Sequence, residues 1–181
     1  ALDANTTGTF NTAIGDEALT NNTEGNRNVG IGSFALAANT TGDANTAIGD
    51  GALDSNTTAS NNTAVGRDAL YYNTGGQNTA VGAHALDANT TANDNTAVGY
   101  NALTTNQTGA SNTALGRSAL QNNTAGDNVA VGYYALGTNT SGANNTAVGK
   151  SALSLSTTGA ENTAVGGQAL DANTTGSYNV A

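Results

Sequence analysis

Proline, cysteine, methionine and tryptophan are absent from this 181-residue sequence. Without cysteine, disulfides and thiolate metal sites are excluded. Positive charge is scarce as well. Only Arg27, Arg67, Arg117 and Lys150 supply it, against 13 acidic residues, and the net charge is −9. Nucleic-acid phosphates call for a basic footprint, and anionic membrane surfaces call for basic clusters, so neither is an expected partner. Aromatic residues make up 4% of the chain, too few for a large conventional core. No apolar run approaches the ~18 residues of a transmembrane helix, so no membrane insertion is expected in this segment.

What is present is one phrase, written again and again. "NTAVGYNAL" runs from Asn95 to Leu103, and near copies start at Asn78, Asn112, Asn145 and Asn162. The opening Asn falls at Asn11, Asn28, Asn45, Asn62, Asn78, Asn95, Asn112, Asn128, Asn145, Asn162 and Asn179. Successive spacings are 17 residues, except 16 between Asn62 and Asn78 and between Asn112 and Asn128. The unit reads N-[TV]-A-[VIL]-G-x-x-A-L-x-x-N-T-T-G-x-x. It covers residues 1–181 as a single repeat domain, expected to be a segment of a longer repetitive protein. A fixed short period over such a length signals a solenoid, each unit being one coil stacked on the last. The unit is too short and too rich in Gly and Asn for a capped helix and its return. Two short strands joined by turns fit better. The expected fold is therefore all-β: a parallel β-solenoid, or β-roll, of about ten coils with a rise of about 4.8 Å each, roughly 50 Å long.

Each position of the unit has a physical reading. The fifth is Gly throughout, as at Gly15, Gly32, Gly49, Gly66, Gly82, Gly99, Gly132 and Gly149, which suits a tight turn with positive φ. The ninth is always Leu: Leu19, Leu36, Leu53, Leu70, Leu86, Leu103, Leu120, Leu136, Leu153 and Leu170. The fourth is always Ile, Val or Leu, and the two apolar columns are taken together as the core. The opening Asn and the later Asn of each unit are expected to form structural amide ladders, bonding from coil to coil. Thr, Ala and Val alternate, so Ala points opposite to its neighbours. The Ala residues are expected on a second face, where their small size admits another chain. The predicted partner is thus the protein itself, in a coaxial trimer or a filament.

The phrase resembles the head repeat of trimeric autotransporter adhesins, the YadA-like head, which carries S-V-A-I-G-x-x-A. The matching stretch here is Asn95-Thr96-Ala97-Val98-Gly99-Tyr100-Asn101-Ala102, with its counterparts in the other units. Similar phrases occur in tail-fibre-like proteins of phages. The resemblance implies a left-handed β-roll of three chains about one axis and a role in adhesion at a surface. The unit here is longer, and its N-T-T-G stretch has no counterpart in that head pattern.

Little is left over for chemistry. His84 is the only histidine and is read as a plain exposed side chain. Without cysteine, a second histidine or a lysine beyond Lys150, no nucleophile–base pair assembles, so no catalytic residue, enzyme activity or cofactor is expected. Asp3, Asp54, Asp87 and Asp171 share one position but lie on non-adjacent coils. No stretch matches a calcium-binding loop, and no metal site is expected. Tyr100 and Tyr133 share the position after Gly, two coils apart and so about 10 Å from each other. With Tyr134 they are candidates for stacking on a glycan.

Two functions are weighed. One is a non-enzymatic structural or adhesive rod in an extracellular adhesin, fibre or filament, at a cell or virion surface, meeting itself and a host-surface protein or glycan. The alternative is an ice-binding β-solenoid using stacked Thr and Asn ranks such as Thr40, Thr57, Thr74 and Thr90. Adjacent Thr residues point oppositely in a strand, which weighs against that rank.

Overall fold

A computed structural model describes residues 1–181. It contains ten three-residue strands and no helix, hence no helix long and apolar enough to cross a membrane. The strands are β1 (Thr12–Ile14), β2 (Val29–Ile31), β3 (Thr46–Ile48), β4 (Thr63–Val65), β5 (Thr79–Val81), β6 (Thr96–Val98), β7 (Thr113–Leu115), β8 (Val129–Val131), β9 (Thr146–Val148) and β10 (Thr163–Val165). They form one parallel sheet in chain order. Like positions pair with like: Thr46 faces Thr63, Ala47 faces Ala64, Ile48 faces Val65. The register survives the shortened units, as Thr63 still pairs with Thr79. Val180 bridges to Thr163 and continues the stack.

Each coil therefore carries one strand, not the two expected. The rest of the coil is turn, yet it stacks as faithfully as the strand. Of 115 backbone hydrogen bonds, 97 lie outside the strands, so the turns supply most of the backbone bonding. Leu103 N–H, for example, donates to the Ala119 carbonyl of the next coil at 3.0 Å. Short strands suffice because the coil-to-coil ladder extends around the bends.

The interior corrects the expected core. Ala47, Ala64, Ala80, Ala97, Ala114, Ala130, Ala147 and Ala164 are fully buried, as are the Leu residues from Leu19 to Leu153. The Ile and Val of the fourth position face outward: Ile14 is 59% exposed, Ile48 38% and Val98 37%. Alternation was the right rule, but the face was reversed. A coil this narrow has room for one Leu, and only a methyl group fits opposite it. Val there would overpack the interior. The Ala residues are thus unavailable as a surface for another chain. The outward face of the sheet is built instead from Thr and Val or Ile.

Opposite the apolar half, each coil is filled by two amides, because its short chain offers no other large apolar side chain. Nearly all of these Asn side chains are fully buried. The opening Asn bonds mostly to backbone. Asn28 Oδ1 accepts the Asn45 backbone N–H at 2.9 Å, and Asn28 Nδ2 donates to the Gly42 carbonyl at 2.7 Å. The later Asn makes the true amide ladder. Asn39 Nδ2 donates to Asn22 Oδ1 at 2.8 Å, and Asn89 Nδ2 to Asn73 Oδ1 at 2.7 Å. Such pairing is what makes a buried amide tolerable.

The ladder breaks at Ser156. Its hydroxyl is too short to reach across, and both Ser156 Oγ and Asn139 Oδ1 are buried without a partner. Ser156→Asn is expected to raise unfolding free energy by about 1–3 kcal/mol, the cost of leaving such groups unpaired. Denaturant melts of the two proteins test this; equal stability would mean that the break carries no penalty.

Candidate functional site

Three positions of each coil meet along one edge of the rod: the two after Gly and the one after Leu. The second residue after Gly sits in the left-handed region, as at Glu17 (φ 53), Asp68 (φ 54), His84 (φ 57) and Tyr134 (φ 55). This bend turns the chain away from the sheet and presents the pair outward. Stacking then lines up side chains 16 or 17 residues apart into a ridge.

On three successive coils the ridge carries a cluster. Asp54, Asp68 and Asp87 lie near His84, Tyr71, Tyr72 and Arg67. Two shallow cavities open on it. One, of about 270 Å³, is lined by Asp68, Tyr71, Tyr72, His84 and Asp87. The other, of about 370 Å³, is lined by Phe34, Asp50, Gly51, Asp54, Asp68 and Tyr71. His84 is not a plain exposed side chain: 25% of it is accessible. An Arg67 guanidinium nitrogen lies 2.6 Å from His84 Nε2. Guanidinium only donates, so Nε2 accepts and the proton sits on Nδ1. That nitrogen faces Asp68 at 3.6 Å and Asp87 at 3.7 Å.

Burial raises the Asp54 carboxyl above its ordinary range, against the Tyr71 hydroxyl bonded to it, and the Asp68 charge pushes the same way. The Asp54 charge and that hydrogen bond raise Tyr71 in turn. Burial likewise raises Asp87, opposed by His84 and reinforced by Asp68. A carboxyl whose folded pKa lies above its unfolded one binds its proton more tightly when folded. Both groups therefore cost stability at neutral pH, and that cost is relieved as pH falls through the raised values.

The sequence reading separated Asp54 from Asp87 because their shared position skips a coil. Asp68 was the missing link: it occupies a different position on the coil between them. No group of three or more His, Asp or Glu residues is arranged to hold a metal ion.

Further along the same ridge the sign of charge changes. Tyr100, Arg117, Tyr133 and Lys150 follow one another on successive coils, all exposed. The Arg117 guanidinium carbon lies 5.7 Å from the centre of the Tyr100 ring, within reach of a cation–π contact. Tyr100 also meets His84 edge to face, with centroids 6.2 Å apart. Tyr133 and Tyr134 lie 6.2 Å apart with planes tilted by 36°. Tyr100 and Tyr133 are thus separated by a cation rather than by open surface.

Comparison with protein-family models, with curated proteins and with solved structures finds no match for this chain.

Proposed function

We propose that the chain is a non-enzymatic rod segment of an extracellular fibre, filament or surface adhesin, built to associate with its own kind. The observation that carries this reading is the outward face of the sheet. Ten strands place one apolar residue each in an outward column, of which Ile14, Ile48, Val81, Val98, Leu115 and Val165 are exposed and Ile31, Val65, Val131 and Val148 half-buried. A column of Thr with an occasional Val runs beside it. A continuous apolar strip of this kind on a monomer marks a contact surface. The nearly unvarying Gly, Leu, Ala and Asn are meanwhile occupied inside the coil. The resemblance to YadA-like head repeats points the same way. Adhesion would then fall to the variable ridge, where Tyr100, Tyr133 and Tyr134 remain the candidates for a glycan. Light scattering on the segment tests the reading. The expected mass is a multiple of 17.7 kDa, and a monomer at every concentration would contradict it.

One observation favours the second reading, ice binding. The Thr hydroxyls of the sheet face, such as Thr46, Thr63 and Thr96, make no hydrogen bond to the protein. They stand half-exposed in a rank at strand spacing. The rank formed by Thr40, Thr74 and Thr90 is a poorer candidate, because each hydroxyl donates to a carbonyl of the next coil. Thermal hysteresis in a chilled solution of the segment would favour ice binding. Its absence, together with self-association, is the expected result.

A further inference from the structure

The ridge divides by charge along its length. Numbered from the unit that opens at Asn11, the first five coils place Asp16, Glu17, Asp50, Asp54, Asp68 and Asp87 on it, offset by Arg67 alone. The sixth to ninth coils place Arg117 and Lys150 there and no carboxylate, and Asp3 and Asp171 stand at the two ends of the ridge. In a chain of net charge −9 such segregation has a local meaning. Screening confines charge effects to about 8 Å at physiological salt, so only facing groups matter and the overall repulsion is muted.

We infer that two copies of this chain pair side by side and antiparallel along this ridge, through a two-fold axis at the fifth coil. The inference rests on the reading of a self-associating rod and names one of its contacts; in the paired form Tyr100, Tyr133 and Tyr134 serve the pairing in place of a glycan. In this arrangement Lys150 on the ninth coil meets Asp16 and Glu17 on the first coil of the other copy. Arg117 on the seventh meets Asp50 and Asp54 on the third. Tyr133 and Tyr134 meet Phe34, which is 42% exposed, and Tyr100 meets Tyr72, 55% exposed. At the axis each His84 faces the other copy's Asp87. The one unfavourable meeting is at the rod ends, where Asp171 faces the other copy's Asp3; every contact occurs twice, as a two-fold requires.

Other arrangements fail on the same residues. Parallel, in-register pairing sets acid against acid on four of the first five coils. A slip of one coil in one direction brings Arg117 opposite Arg67 and Lys150 opposite Phe34; in the other it keeps an acid for Lys150, at Asp3, but takes Arg117 from Asp50 and Asp54 to Phe34. The ridge is about 40 Å long at strand spacing but narrow, so the pairing is a weak contact, at the small end of specific interfaces. Electrostatic complementarity sets its register more than its strength.

The test is a charge exchange. The first position after Gly naturally holds Asp, Ser, Arg, Ala, Tyr, Lys and Gly, so reversals there leave the coil intact, and circular dichroism checks this. Arg117→Glu with Lys150→Glu makes one variant. Asp16→Lys with Asp50→Lys makes the other. Sedimentation equilibrium follows each alone and both mixed. Each variant alone is expected to pair about tenfold or more weakly than the parent, since like charges now face each other. The equimolar mixture is expected to restore pairing, as a heterodimer. Unchanged association of either variant overturns the inference, and so does a mixture that stays unpaired. A mass of three chains that ignores the reversals overturns it while leaving the rod reading intact. A parent that never associates overturns both.

Discussion

Gly99→Ala is expected to destabilise the rod by about 3–6 kcal/mol, adding the cost of a strained backbone to that of overpacking. Gly99 has φ +138, a region that L residues rarely adopt, and a Cβ there would lie 2.6 Å from both the carbonyl carbon and the carbonyl oxygen of Gly116. Gly116 would in turn crowd Gly132, and the same holds up the column. The obstacle is backbone, which no rotamer change relieves. Relief would have to come from separating two coils, at the cost of their ladder bonds. Gly109→Ala is the informative control. A Cβ at Gly109 also crowds the next coil, yet Ala59, Ala92 and Ala125 occupy that same position on other coils. A modest loss at Gly109 beside a large one at Gly99, measured by urea melts, is the expected contrast. Equal losses would mean that close stacking, and not the positive φ, decides the cost.

Leu103→Ile carries the second large effect. Leu103 is fully buried and sits at φ 52, as every Leu of its column sits between φ 50 and φ 57. A β-branched side chain in the left-handed region is a genuine outlier, and its second branch would point into a packed interior. The expected loss is about 2–4 kcal/mol, combining backbone strain with misfit. Leu103→Met keeps the unbranched Cβ and is expected to cost under about 1.5 kcal/mol. A result in which Ile is tolerated as well as Met would show that volume alone governs this position. This also explains why Ile, Val and Leu interchange at the fourth position while the ninth admits only Leu. The fourth lies in an extended strand, where branching is welcome, and the ninth lies in a left-handed bend.

Much of the coil could be read from its letters. The spacing of Asn gave the period, the unvarying Gly marked a turn of positive φ, and the unvarying Leu marked the buried column. Other features depend on a dimension that letters do not carry, the width of the coil. A wide coil would bury Val98 and expose Ala97. This narrow one does the reverse, and hydropathy, which ranks Val above Ala, points the wrong way. A second strand is expected from the letters because the unit, with its Gly and Asn punctuation, has no room for a helix and its return. In the structure Thr40, Thr74 and Thr90 instead hold their bend to the next coil through hydroxyl and backbone together. The cluster at His84 was missed for a different reason. Asp68 and Asp87 occupy different positions of the unit, and stacking brings them together from neighbouring coils. A reading that follows one column at a time does not see contacts between columns.

If every invariant letter is used to build one coil upon the last, whole coils are interchangeable parts. Deleting residues 95–111 joins Asp94 to Asn112 and removes one complete coil in phase. The measurement is cooperative unfolding, followed by circular dichroism, of this shortened chain beside one lacking only residues 104–111, which breaks the phase. The in-phase deletion is expected to keep the parent's spectrum per residue and to lose only one coil's share of stability, as nearest-neighbour stacking requires. The out-of-phase deletion is expected to unfold the rod around it. Equal damage from both deletions would contradict the account, because the coil would then not be the unit from which this protein is made.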